Sequence, residues 1–71
     1  MQEIDARGLS CPQPVLLLEQ ALKQSPDETE FKVKVDDFAP MENVARYARS
    51  HGLTVEELEQ DDYYEVFVRK T

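Results

Sequence analysis

The chain has 71 residues and a net charge of −7, with 15 acidic side chains against 8 basic ones. That length allows one domain over residues 1–71, and burying only about 60% of the unfolded surface leaves a thin core with no deep pocket. The charge argues against direct binding to nucleic acid or to an anionic membrane, because such binding relies on Lys and Arg; it suits solubility or a basic protein partner.

Met1-Gln2-Glu3 lacks the positive start of a secretory signal, and Val15 to Leu18 is the longest aliphatic run, so a cytoplasmic protein is expected. A single cysteine excludes an internal disulfide.

The elements follow in chain order. Residues 3–6 read as a short strand with Ile4 inward, and Gly8 permits a turn after it. Residues 12–24 read as a helix. Val15, Leu18, Ala21 and Leu22 form its apolar stripe, Leu16 and Leu17 widen it, and Ser25-Pro26-Asp27 stops it. Residues 30–35 alternate, with Phe31, Val33 and Val35 on one face and Lys32 and Lys34 on the other.

A second helix is expected from about Pro40 to Ser50, with Met41, Val44, Ala45 and Ala48 inward and Gly52 ending it. Residues 53–59 make a third strand with Leu53 and Val55 inward, and Gln60-Asp61-Asp62 turns the chain. In a fourth strand, residues 63–69, Tyr64, Val66 and Val68 share a face and Phe67 falls on the other, exposed side. The order β-α-β-α-β-β predicts an α+β fold, a two-layer sandwich with two helices on one face of a four-stranded mixed sheet. The first two strands are parallel if they are neighbours.

The stretch from Asp5 to Pro14 is the most informative. With Cys11 as N-cap, Pro12 and Pro14 both fall in the first helical turn, where N–H groups lack partners. Ser10 could cap instead, with Gln13 completing a capping box, but Pro14 would then cost a helix hydrogen bond. In either register the thiol stands at a helix start, where the dipole favours thiolate. The plainer alternative is a small buried hydrophobe.

The pattern Asp5-x-x-Gly8-x-x-Cys11-Pro12-x-Pro14 resembles the signature of the TusA/SirA-like sulfur-carrier family. Val35-Asp36-Asp37, Glu42-Asn43-Val44 and Ser50-His51-Gly52 extend the likeness over essentially the whole chain. The second helix is more similar to the YedF-like branch, linked to selenium metabolism, in which this module can precede a second domain. The resemblance implies that Cys11 carries sulfur as a persulfide, with Pro12 and Pro14 shaping its presentation and Asp5 and Gly8 completing the motif; Arg7, inside the motif's span, is a further candidate for support. The implied donor is a cysteine desulfurase or rhodanese-like protein. The implied acceptor is a further protein serving tRNA thiolation, molybdenum cofactor, sulfur oxidation or selenium metabolism. No cofactor is expected, and a monomer suffices.

Other groups fit less well. Parallel first strands would start both helices at one sheet edge and put His51 at the other, away from Cys11. One Cys and one His fall short of a zinc set. Asp36, Asp37 and the 60–62 turn would share the edge with Cys11, with Arg7 the near cation in sequence. This acidic rim opposes the helix dipole, so a strongly activated thiol is not expected. Asp36 and Asp37 suit a partner-facing role, or turn chemistry with Asp36 capping the second helix. Tyr63, Tyr64 and Phe67 suit a good strand or a docking surface. A non-catalytic regulatory or protein-binding module is the alternative reading; an RNA-binding domain has only a fold analogy in its favour.

Overall fold

A computed structural model describes residues 2–9 and 13–70. Met1, Ser10, Cys11, Pro12 and Thr71 lie outside the described residues, so the choice between Ser10 and Cys11 as helix cap lies outside them too.

The elements are β1 (Gln2–Asp5), α1 (Gln13–Gln24), β2 (Glu30–Val35), α2 (Phe38–Ser50), β3 (Thr54–Glu59) and β4 (Tyr64–Arg69). They form the expected α+β arrangement, a mixed sheet of order β1-β2-β4-β3 with two helices. β1 and β2 are parallel, in register from Gln2↔Phe31 to Asp5↔Lys34. β4 runs antiparallel to both β2 and β3.

Period-two patterning sets the sheet faces. Ile4, Phe31, Val33, Val35, Val66 and Val68 are buried, and they meet Leu18 and Ala21 of α1 and Met41, Val44 and Ala48 of α2 in one core. Val55 and Leu53 pack at its margin. The helix stripes hold with one exception. Leu16 is 43% exposed, because α1 buries the narrower line Pro14, Leu18 and Ala21.

α2 begins two residues earlier than its sequence suggests. Asp37 is the N-cap, in extended conformation, and its carboxylate accepts a hydrogen bond from the Phe38 N–H at 2.8 Å. Pro40 is then the third helical residue, in the first turn, where its missing N–H costs nothing. At the far end, Gly52 (φ +75°) follows the C-cap His51. Its N–H donates to the Arg49 carbonyl and the Leu53 N–H to the Ala48 carbonyl, a Schellman closure.

Candidate functional site at the C-terminal edge of the parallel strands

Parallel pairing brings the C-terminal ends of β1 and β2 side by side. β4 starts there as well, with Tyr64 opposite Val35, so the connection from Gln60 to Tyr63 lies on the same edge. This edge holds both segments that lead into helices.

The first segment is a turn hung from β2 at two points. The Ala6 N–H donates to the Lys34 carbonyl at 2.8 Å, extending the β1–β2 pairing by one residue. The Gly8 N–H donates to Asp36 Oδ2, also at 2.8 Å. Between them the Leu9 N–H closes a turn on the Ala6 carbonyl at 3.4 Å. Gly8 occupies its third position with φ +81°, a backbone region in which glycine alone is unstrained. The Asp36 carboxylate therefore spends one oxygen on holding the turn. It does not cap α2; Asp37 does.

Asp5 and Arg7 brace the same turn. The Arg7 guanidinium makes a two-pronged pair with the Asp5 carboxylate, Nε to Oδ1 and Nη2 to Oδ2, each at 3.0 Å. The Arg7 backbone N–H adds a third bond to Oδ1 at 3.2 Å. These hydrogen bonds hold the Asp5 carboxyl down to about 2, against an ordinary value of 3.8. A carboxyl whose pKa is depressed by folding favours the folded chain above its unfolded pKa. That contribution is lost as pH falls from about 3.8 toward 2. A 13C titration of the Asp5 carboxyl should show its midpoint near 2 in the wild type, moving up toward 3.8 in Arg7→Gln. An unshifted wild-type midpoint would contradict the brace.

Arg7 also lies over the Tyr63 ring, 5.4 Å from its centroid, and Lys34 Nζ is 5.7 Å from the same ring. Asp62 is close enough to act on the Arg7 charge. The acidic edge thus carries two cations: Lys34 joins Arg7, although it is distant in sequence. The parallel register supplied the missing signal, since Asp5 pairs with Lys34.

Pro14, in the first turn of α1, is buried. Cys11 and Pro12 stand in sequence between Leu9 and Gln13, outside the described residues. The structure therefore brings Asp5, Arg7, Gly8 and Asp36 into contact, places Asp37 beside them on the chain, and leaves Pro14 in the core. His51 is not part of this cluster. It ends a 13-residue helix that Asp37 begins, about 20 Å away along the axis. Its Nδ1 lies 2.8 Å from the Tyr47 carbonyl and its ring packs on the Tyr47 ring at 4.1 Å. Tyr64 faces the core side and packs edge-on to Phe38, with centroids 6.4 Å apart. Phe67 is half-buried on the open face rather than exposed, with Lys32 5.9 Å from its ring centroid. Among the described residues no cluster of His, Cys, Asp and Glu could hold a metal ion, and no helix is long and apolar enough to cross a membrane.

The model of the family described as sulfurtransferase TusA matches residues 2–70. The chain belongs to this family. It is 39% identical over 56 residues to a "putative sulfur carrier protein" of Methanocaldococcus jannaschii, covering 78% of this chain and 73% of that protein. Its fold is similar to that of a SirA-like protein from Desulfitobacterium hafniense seen by crystallography, with a TM-score of 0.89 and 32% identity. That likeness covers 97% of this chain and 96% of the other. The TusA/SirA-like resemblance of the sequence is thereby established, and with it membership of a sulfur-carrier family.

Proposed function

We propose that the protein accepts sulfane sulfur on Cys11 from a donor protein and passes it to an acceptor protein. The supporting observation is the tethered turn. In sequence Cys11 stands two residues from both Leu9 and Gln13. Leu9 closes a turn fixed to β2 through Ala6 and Gly8, and Gln13 opens a helix anchored in the core by Pro14 and Leu18. In sequence the single cysteine of the chain falls between these two anchored segments.

The chemistry is thiol exchange without net oxidation. The Cys11 thiolate attacks the terminal sulfur of a donor persulfide. The donor S–S bond breaks, the donor cysteine leaves as a thiolate, and the terminal sulfur moves with its proton onto Cys11. A nucleophile on the acceptor then repeats the attack on that sulfur and releases the Cys11 thiolate. A cysteine desulfurase or a rhodanese-like protein suits the donor role. The described acids near the turn, Asp5, Asp36, Asp37 and Asp62, outnumber the cations Arg7 and Lys34, and negative charge opposes thiolate formation, so activation of the thiol is left to the partner's own site.

A non-catalytic binding module is the competing reading, favoured by how much of the edge is spent on structural bonds. Complementation of a deletion strain separates the two. The carrier reading expects Cys11→Ser, produced at wild-type level, to fail. Full rescue by the serine variant would establish the binding module instead.

A further inference from the structure

One surface of the domain leaves large apolar side chains exposed beside acidic ones. At the same edge as the Gly8 turn, a shallow open groove is lined by Phe38, Met41 and Glu42 of α2, by Glu57, Leu58 and Glu59 of β3, and by Tyr64 of β4. Met41 and Tyr64 pack against the core. Phe38, by contrast, stands 56% exposed and Leu58 41% exposed, an aromatic and an aliphatic side chain that both line the groove. Isolated exposed apolar residues are ordinary; a pair of them lining a concavity with a charged border is the form of a docking site.

The border has one sign. Glu42, Glu57 and Glu59 line the groove, and Asp37, Asp61 and Asp62 adjoin it on the chain. Arg49 Nη2 holds Glu57 Oε1 at 3.2 Å, while Glu57 Oε2 is closed off from water with no hydrogen-bond partner among the described residues. Glu42 and Glu59 form no ion pair with another described residue. Arg49 offsets the Glu57 charge, so the negative field of the groove comes from Glu42 and Glu59, with Asp37, Asp61 and Asp62 adjoining on the chain.

We propose that this groove seats a basic segment of a partner protein, inserting one large apolar side chain against Phe38 and Leu58 while flanking Lys or Arg residues meet Glu42 and Glu59. The assignment names a surface for the exchange partner and so builds on the carrier reading. Location supports it: Phe38 follows Asp37, and Asp36 holds the Gly8 turn that precedes Cys11 in sequence, so the groove opens at the same end of the strands as that turn. Charge supports it as well, since a second copy of this chain would bring a net charge of −7 against the same acids.

The test uses binding, which does not depend on thiol chemistry. The 15N-labelled chain is titrated with a short acetylated, amidated lysine-rich peptide carrying one central leucine. Amide shifts should centre on Phe38, Met41, Glu42 and Leu58 to Tyr64. Affinity should fall about tenfold in Phe38→Ser, and about tenfold again when Glu42→Gln and Glu59→Gln are combined. Phe38 is exposed enough for its variant to keep the fold, which the unchanged remainder of the spectrum verifies. Cys11→Ala should bind as the wild type does, so a failed carrier reading would leave this result intact. Shifts centred on the open sheet face, equal binding of the same peptide with glutamate in place of lysine, or wild-type affinity in Phe38→Ser would overturn the proposal. Self-association of the unliganded chain that moves the same amides would overturn it too, by giving the groove to a second copy.

Discussion

Leu18→Ala is expected to lower the free energy of unfolding by about 2–5 kcal/mol, the range for deleting a buried leucine. Leu18 is fully buried on the line by which α1 meets α2 and β2. A chain of this size has a total stability of about 4–11 kcal/mol, so the loss takes a large share of the whole. The effect extends to the site, because α1 is one of the two anchors on either side of Cys11. Leu16→Ala serves as the control. Leu16 points to water, so its truncation should change stability by less than about 0.5 kcal/mol. Urea unfolding of both variants checks the pair. Equal losses would mean that α1 is rotated from the orientation described here.

Gly8→Ala is expected to cost about 1–2 kcal/mol through backbone conformation alone. A Cβ at this position would meet nothing within 4 Å, so no clash contributes. The penalty arises from φ +81°, a value that an L-residue adopts only under strain. Relieving that strain would rotate the Gly8 N–H away from Asp36 and loosen the turn before Cys11. Chemical synthesis of the chain with D-alanine at position 8 isolates the cause. D-alanine prefers positive φ and should match or exceed the wild type in stability, while L-alanine should not. Equal losses from both would show that contacts, and not handedness, govern the turn.

The fold was legible because its patterns are local. Alternation from Glu30 to Val35 gave β2 with its observed bounds, and the stripe Met41, Val44, Ala45, Ala48 gave the buried face of α2. Element order and the parallel pairing of β1 with β2 then placed both helix starts on one edge and His51 on the other. The errors have equally specific origins. Two adjacent aspartates, Asp36 and Asp37, carry the same capping chemistry, and sequence cannot tell which one the chain geometry selects. Pro40 is compatible with any first-turn position, so it marks the start of α2 only to within two residues. Leu16 is as hydrophobic as Leu18, and only the packing of α1 on its neighbours separates them.

The site was legible to a lesser degree, because its bonds are long-range. The Gly8–Asp36 bond spans 28 residues, and neither partner advertises the other. Lys34 reaches Tyr63 across the sheet, a contact that follows from strand register and not from any motif. Glu65 shows the same limit. Alternation puts it on the open face, yet it is only 6% exposed, bound by Lys32 at 3.4 Å and by Gln60 at 2.9 Å. Its burial is a property of its cross-strand neighbours. The groove beside Phe38 likewise emerges from how α2, β3 and β4 pack, elements that each look ordinary in sequence.

Whether Cys11 carries sulfur is read by intact-mass spectrometry. Wild type and Cys11→Ala are incubated with a cysteine desulfurase and free cysteine, and in parallel with a rhodanese-like donor, then split into reduced and unreduced samples. A gain of one sulfur atom is expected in the wild type alone, removed by reductant. The same gain in Cys11→Ala, or no gain in the wild type with either donor while a dye-labelling control shows the thiol to be accessible, would contradict the carrier reading.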